Sequence, residues 1–300
     1  MKVLITGGTG FIGSALIASL QGDGHEVVVL TRSTGRAARK LGSGVRVIEG
    51  LGAIANDEML DAIVNLAGAP IVDRRWSDAR KQLLRDSRLQ ITRDLLRLIE
   101  RLDRRPGVLV SGSAVGYYGS QDNDHLLTEE ADDFVPGFAH QLCADWESEA
   151  LQAEKLGVRV CLVRTGIVLG PGGALAKMLP AFRLGLGGPI GNGRQWMSWV
   201  QLADEVGIIR YLIDQKTLRG PFNACAPEAV SNGEFSRTLG RVLKRPAVLR
   251  VPALAMKLLL GEASELLVSG QRVYPRRLLD AGYEFQYSQL EPALEASVKR

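Results

Sequence analysis

Val3-Leu4-Ile5-Thr6-Gly7-Gly8-Thr9-Gly10-Phe11-Ile12-Gly13 decides how this chain is read, because a short apolar strand turns through glycines straight into a helix. In such a unit Gly7 makes the tight turn, Gly10 lets backbone N–H groups approach a pyrophosphate, and Gly13 lets helix pack on strand. The helix that follows offers unpaired N–H groups and the positive end of its dipole to the anion. A glycine triplet alone carries little weight in a chain with 34 glycines. Here residues 3–6 supply the strand, Ile12, Leu16 and Leu20 line one helical face, and residues 27–30 supply the returning strand. The pattern predicts a dinucleotide site with Thr9, Phe11 and Ile12 in the same loop-to-helix turn.

The second strand ends at Leu30-Thr31-Arg32, where folds of this kind choose between the two nicotinamide dinucleotides. A carboxylate there would accept from the ribose hydroxyls of NAD and repel the 2′-phosphate of NADP. No acid stands between Thr31 and Lys40; Thr31 offers a hydroxyl and Arg32 a planar guanidinium, with Arg36, Arg39 and Lys40 close behind. NADP(H) is favoured over NAD; a solvated basic loop is the alternative for Arg32 and the favoured reading for Arg36, Arg39 and Lys40.

Residues 45–48 read as a third strand and 62–66 as a fourth, running into Ala67-Gly68. Ligands of open parallel sheets lie beyond the carboxyl ends of the strands, which places Leu66, Ala67 and Gly68 along the dinucleotide. Residues 74–105 carry eleven Lys or Arg against five Asp or Glu. Leu89, Thr92, Leu96, Ile99 and Leu102 repeat there at helical spacing, so most of the charge is a solvated face and Arg88 is the cofactor candidate. A fifth strand, 108–110, delivers Ser111-Gly112-Ser113-Ala114-Val115-Gly116-Tyr117-Tyr118-Gly119. Residues 121–133 read as an acidic surface loop without function, 138–156 as a helix, and 158–163 as a sixth strand ending in Arg164-Thr165-Gly166.

Beyond Gly166 glycines punctuate short elements, and Arg194, Gln195 and Trp196 suit the wall of a substrate pocket. Trp196 and Trp199 as core anchors is the open alternative. The predicted division is residues 1–165 for the cofactor domain, rejoined by about 197–225, and 166–300 for a smaller substrate-side domain.

Composition narrows the class. Hydrophobic residues make up 46% and charged residues 23%, as in ordinary globular chains. Three scattered cysteines fit neither a disulfide framework nor a metal site, which suggests a reducing, cytoplasmic setting. The start of the chain is too short in apolar residues before Gly7 for a signal peptide, and no stretch reaches membrane-spanning length. The expected partner is a small-molecule substrate, with neither membrane nor nucleic acid: the net charge is only +4, and the basic residues of 74–105 alternate with acids and lack interleaved aromatics apart from Trp76.

Taken together, the glycine-rich turn, Asn65-Leu66-Ala67-Gly68, Arg75-Trp76, Ser87-Arg88, residues 113–119, Trp146-Glu147, Arg164-Thr165-Gly166-Ile167-Val168-Leu169-Gly170, Gly187-Gly188-Pro189-Ile190-Gly191 and Gly270-Gln271-Arg272 carry a resemblance. The chain resembles an extended short-chain dehydrogenase/reductase, and more narrowly the atypical, YfcH-like group of epimerase-family proteins, nearly end to end. The resemblance implies an α/β fold, a Rossmann doubly wound parallel sheet with a smaller C-terminal α/β domain, and NADP(H) contacts at Thr31, Arg32, Leu66, Ala67, Arg88 and Gly166. Dimerisation through a helix bundle follows only by analogy at fold level. One departure matters: the superfamily's Tyr-x-x-x-Lys pair is missing, with Ala139 and Cys143 at the aligned positions. In that family the lysine lowers the tyrosine pKa so that the phenol passes a proton while hydride moves. Ser113 is the expected surviving partner, with Ser111 as the alternative, and Tyr118 the expected phenol, with Tyr117, His140 and Cys143 as other candidates.

Overall fold

The computed structural model describes residues 1–42, 44–121 and 123–298. Its centre is a seven-stranded parallel sheet built from β1 (Lys2–Thr6), β2 (Glu26–Leu30), β3 (Val45–Ile48), β4 (Ala62–Asn65), β5 (Val108–Ala114), β6 (Arg159–Thr165) and β7 (Gly220–Ala224). Their spatial order is β7-β6-β5-β4-β1-β2-β3. Direction of travel reverses between β1 and β4, and such a reversal opens a crevice at the carboxyl ends of the two strands.

The strands are apolar on both faces because helices cover both. Alternation sends Val3, Ile5, Val27, Val29 and Val64 into one core with α1 (Phe11–Gly22) and α6 (Leu202–Asp214). Leu4, Val28 and Ile63 point the other way, against α3 (Asp78–Arg101) and α4 (Phe138–Lys155). The short α2 (Thr34–Leu41) links β2 to β3.

After β6 the chain leaves the sheet. It builds Ile167–Leu169, α5 (Gly173–Arg183) and two short strands, then returns through α6 and β7 before α7 (Asn232–Leu243) and α8 (Ala253–Leu260). Leu175, Phe182, Trp199, Phe235 and Leu294 form a separate core for this smaller unit. Residues 121–133 correct the expectation of a free loop: Leu126–Leu127 pairs with Arg272–Val273, and Glu129 is buried, accepting from the backbone N–H of Asn223 at 2.9 Å. Ser77 caps α3 by accepting from the N–H of Arg80, so that helix begins well before the apolar repeat that announced it.

Candidate functional site

The glycine turn has the geometry of an anion cradle. Gly7 sits at φ +70°, and a Cβ there would come within 2.5 Å of the Leu66 carbonyl oxygen. A side chain at Gly13 would collide with the Gly7 carbonyl and lie 2.8 Å from Gly8 Cα. Gly10 is the N-cap of α1 and supplies no side chain to the first-turn N–H groups, which leaves them for an anion. Lys40 Nζ donates to the Thr9 carbonyl at 2.6 Å, bracing the turn from α2. Phe11 reaches away from the turn, its ring filling the space that Cβ atoms at Gly170, Gly172 and Gly173 would occupy.

At the end of β2, Thr31 is half-buried and its Oγ1 accepts from the Ser33 N–H at 3.3 Å. Arg32 and Arg39 are exposed; the side chain of Arg36 lies outside the described residues. At the end of β4, the Thr6 hydroxyl donates to Asn65 Oδ1 at 2.7 Å and accepts from the Ala67 N–H at 3.1 Å. That pair fixes the path of Leu66 and Ala67 beside the glycine turn. Gly68 serves a purpose the sequence did not announce: a Cβ there would strike the Arg88 guanidinium at 2.9 Å. Arg88 donates to the carbonyls of Leu84 and Ala69 at 3.0 and 3.2 Å and lies 5.2 Å from the Trp146 ring centre. Burial pulls its pKa below the usual arginine range, so a phosphate or other anion would be a favourable neighbour. Gly166 is pressed against Ser198, whose carbonyl oxygen would stand 2.7 Å from a Cβ.

Ser113 and Tyr118 lie in one buried polar network. The Ser113 hydroxyl donates to Glu147 Oε1 at 2.6 Å, and Arg164 holds the same carboxylate through two N–H groups at 2.9 and 2.8 Å. Arg164 also donates to the Tyr118 hydroxyl at 3.0 Å, which donates in turn to Asn223 Oδ1 at 2.8 Å. The Thr128 carbonyl sits 3.0 Å from the same hydroxyl. Tyr118 is completely buried, and burial pushes its pKa up to about 12. Its phenol is therefore committed inside the network, whereas Tyr117 is half-buried with its ring under the Arg164 guanidinium at 3.4 Å.

Gly116 runs against Ala139 and Cys143, at 3.6 and 3.7 Å from where its Cβ would be. The two positions aligned with the missing Tyr and Lys thus face the strand-end loop. Burial raises the Cys143 thiol to about 12, and the Glu147 carboxylate adds to the effect. Ser111 is fully buried, its hydroxyl 3.4 Å from the Gly112 carbonyl, and His140 Nδ1 donates to the Tyr117 carbonyl at 2.5 Å while its ring stacks on Phe134.

The three expected pocket residues separate. Gln195 is tied to the carbonyls of Ile190 and Leu267, Trp196 donates to Asp124 at 2.8 Å beneath the Arg272 guanidinium, and Arg194 is exposed. Trp199 is the core anchor of the smaller unit. An open groove of about 610 Å³ between α1 and α6 is lined by none of the expected cofactor or pocket residues. Among the described residues no cluster of His, Cys, Asp and Glu could hold a metal ion, and no helix is long and apolar enough to cross a membrane.

Sequence reasoning missed Glu205, which is fully buried at the start of α6. The Thr165 hydroxyl donates to its Oε1 at 2.9 Å, and Oε2 has no partner among the described residues. Burial pushes its pKa up to about 8. A carboxyl raised in this direction binds its proton in the folded state while the unfolded chain has already lost it, so stability falls as pH rises from about 5 to 8. The slope from this residue is about 1.4 kcal/mol per pH unit at most. Glu205→Gln is expected to flatten it, as read from urea unfolding at pH 5.5, 6.5 and 7.5; equal slopes in the two proteins would refute the assignment.

Known proteins resemble this chain along its whole length. The NAD dependent epimerase/dehydratase family matches residues 3–225, and a domain of unknown function matches 251–297. An epimerase family protein SDR39U1 homolog of Arabidopsis thaliana, described as chloroplastic, is 40% identical over 99% of this chain and 86% of its own. The epimerase family protein YfhF of Bacillus subtilis is 37% identical over 98% and 97%. The crystal structure of human epimerase family protein SDR39U1 with NADPH superposes with a TM-score of 0.89 at 34% identity, covering 99% of both chains. Fold, glycine cradle and sequence agree, and the chain belongs to the NAD dependent epimerase/dehydratase family.

Proposed function

We propose that this chain binds NADP(H) and uses it as an oxidoreductase or epimerase-like enzyme on a small polar carbonyl or alcohol. The observation that carries the cofactor choice is the end of β2, where Arg32 is exposed and no carboxylate stands between Thr31 and Lys40. The NADPH in the human relative's crystal structure supports it. The cradle of Gly7, Gly10 and Gly13 would hold the pyrophosphate, Leu66, Ala67 and Gly68 would follow the dinucleotide along β4, Arg88 would supply a buried positive charge, and Thr31 with Arg32 would read the 2′-phosphate. NADP(H) supplies or accepts the hydride. The chain's own part is to orient the substrate oxygen and to exchange a proton with it. Tyr117 is the phenol we assign to that exchange in place of Tyr118. Arg194 is the cation left to recognise substrate. Three buried, unpaired cysteines support a reducing, cytoplasmic setting.

Fluorescence titration tests the cofactor assignment. One charged hydrogen bond contributes about 1.5–3 kcal/mol, so Arg32→Ala is expected to weaken NADPH binding by about tenfold or more and to leave NADH binding unchanged. Equal, weak binding of both dinucleotides by the unaltered protein would overturn the assignment. The burial of Ala139 and Cys143 where the Tyr-x-x-x-Lys pair would stand favours a second reading, a non-catalytic NADPH-binding sensor. NADPH consumption against a panel of carbonyl compounds separates the two.

A further inference from the structure

The surface around α8 is apolar and mostly cationic, and Glu262, the carboxylate that follows the helix, is paired with Lys81 of α3. None of the eight residues of α8 is buried, and Leu254 and Leu258 are 67% and 64% exposed. The helix is continuous with a second exposed strip. The segment 183–191 runs alongside 245–253, joined by the Gly191 N–H to the Val251 carbonyl at 2.8 Å, the Val251 N–H to the Pro189 carbonyl at 2.9 Å, and Arg245 Nε to the Arg183 carbonyl at 3.0 Å. Leu184, Leu186, Val248 and Leu249 are exposed along that seam. A contiguous exposed apolar patch of this kind marks an interaction site.

Charge selects the partner. Between Glu154 and Asp204, and again between Glu234 and Glu262, the chain has no Asp or Glu at all. Arg183, Lys244, Arg245, Arg250 and Lys257 are exposed within those stretches, and none forms an ion pair with a carboxylate among the described residues. A second copy of the same patch would bring like charges together, which disfavours self-pairing. Helix α8 packs on the body at Leu260, against the core of Trp76, Leu84 and Leu142, and leaves Leu254, Leu258 and Leu259 in solvent. Leucines that insert at the headgroup boundary, ringed by Lys and Arg, are the composition of an interfacial membrane contact.

We propose that this face binds reversibly to an anionic lipid bilayer, with α8 and residues 184–186 and 248–249 at the acyl boundary and the surrounding cations on the headgroups. This revises the expectation of no membrane partner for a contact that lies on the bilayer surface. Each cation near an anionic surface is worth about a fivefold change in partitioning, and the contribution is screened by salt.

Vesicle co-sedimentation of the full chain tests this, using phosphatidylcholine alone and phosphatidylcholine with 30% phosphatidylglycerol. Binding is expected only to the anionic vesicles, to fall about 25-fold in Arg250→Gln/Lys257→Gln, and to be lost in Leu254→Glu/Leu258→Glu. Both variants should keep the circular dichroism spectrum and melting temperature of the unaltered protein, because the substituted side chains are exposed. Failure to sediment with anionic vesicles overturns the proposal. So does undiminished sedimentation of folded variants, or a dimer that Leu254→Glu/Leu258→Glu converts to monomer. An acidic-protein partner is the conclusion if a polyglutamate peptide binds the patch and anionic vesicles do not.

Discussion

Glu147→Ala is expected to destabilise the folded chain by about 3–5 kcal/mol, measured by urea unfolding followed in the far-ultraviolet circular dichroism. Arg164 and Glu147 are only 4% and 7% exposed, and removing the carboxylate leaves a guanidinium inside the protein without a counter-charge. Against the downward pull of burial, the Glu147 carboxylate and the Tyr118 phenol hold Arg164 above the usual arginine pKa; without Glu147 that support is lost, yet a guanidinium starts from so high a pKa that it stays charged. The loss propagates, since Ser113 gives up its acceptor and the Arg164–Tyr118–Asn223 chain loses its anchor. Replacing both charges, as Glu147→Leu with Arg164→Met, should recover much of the loss, because two apolar side chains leave no buried charge behind. A cost below about 1 kcal/mol for Glu147→Ala would show that water reaches Arg164 and that the network is not sealed.

Gly13→Val is expected to lower NADPH affinity at least a hundredfold in the same fluorescence titration that tests Arg32. The added side chain meets backbone on the Gly7–Gly8 turn, and backbone cannot step aside as a flexible side chain would. Helix α1 must move outward, which carries its first N–H groups out of range of a pyrophosphate seated on the turn. Losing two hydrogen bonds to a charged group, at about 1.5–3 kcal/mol each, accounts for that factor. The fold should survive with a penalty of about 1–3 kcal/mol from overpacking. Gly22→Ala, at the far end of the same helix where a Cβ meets nothing, should leave affinity unchanged. If Gly13→Val binds NADPH normally, the cradle is not where the dinucleotide sits.

The parts of the molecule that were legible in the sequence are those in which local pattern and tertiary role coincide. Residues 45–48 and 62–65 are strands in the structure because an apolar run bounded by turn residues has few other ways to bury itself. The turn from Thr6 to Gly13 was legible for the same reason, since its glycines answer to backbone contacts a few residues away. The Arg164–Glu147–Tyr118–Asn223 network was not, because its members come from four elements and meet only once the sheet is assembled. Two signs were present all the same: Arg164 follows the apolar run 160–163 near the end of β6, and Glu147 follows Trp146 on a helix whose apolar face is buried. Tyr117 and Tyr118 are neighbours in sequence, and no local rule decides which of the two phenols a 3-10 turn will bury. Residues 121–133 misled because their acidity reads as solvent-facing, while Glu129 and Leu127 are held by strands and turns nearly a hundred residues or more further on.

Phe11 has the longest reach of any of these features. Its backbone begins the helix whose first turn would hold the pyrophosphate, and its ring lies in a nest of three glycines that opens α5 of the smaller unit. Anything that draws α5 away from the sheet must pull the ring from that nest or drag the start of α1 along with it. If a ligand bound one position of the smaller unit better than another, it would alter the grip on a dinucleotide, and the dinucleotide would alter the grip on that ligand by the same factor. One phenylalanine ring thus ties the start of the cradle helix to the start of α5.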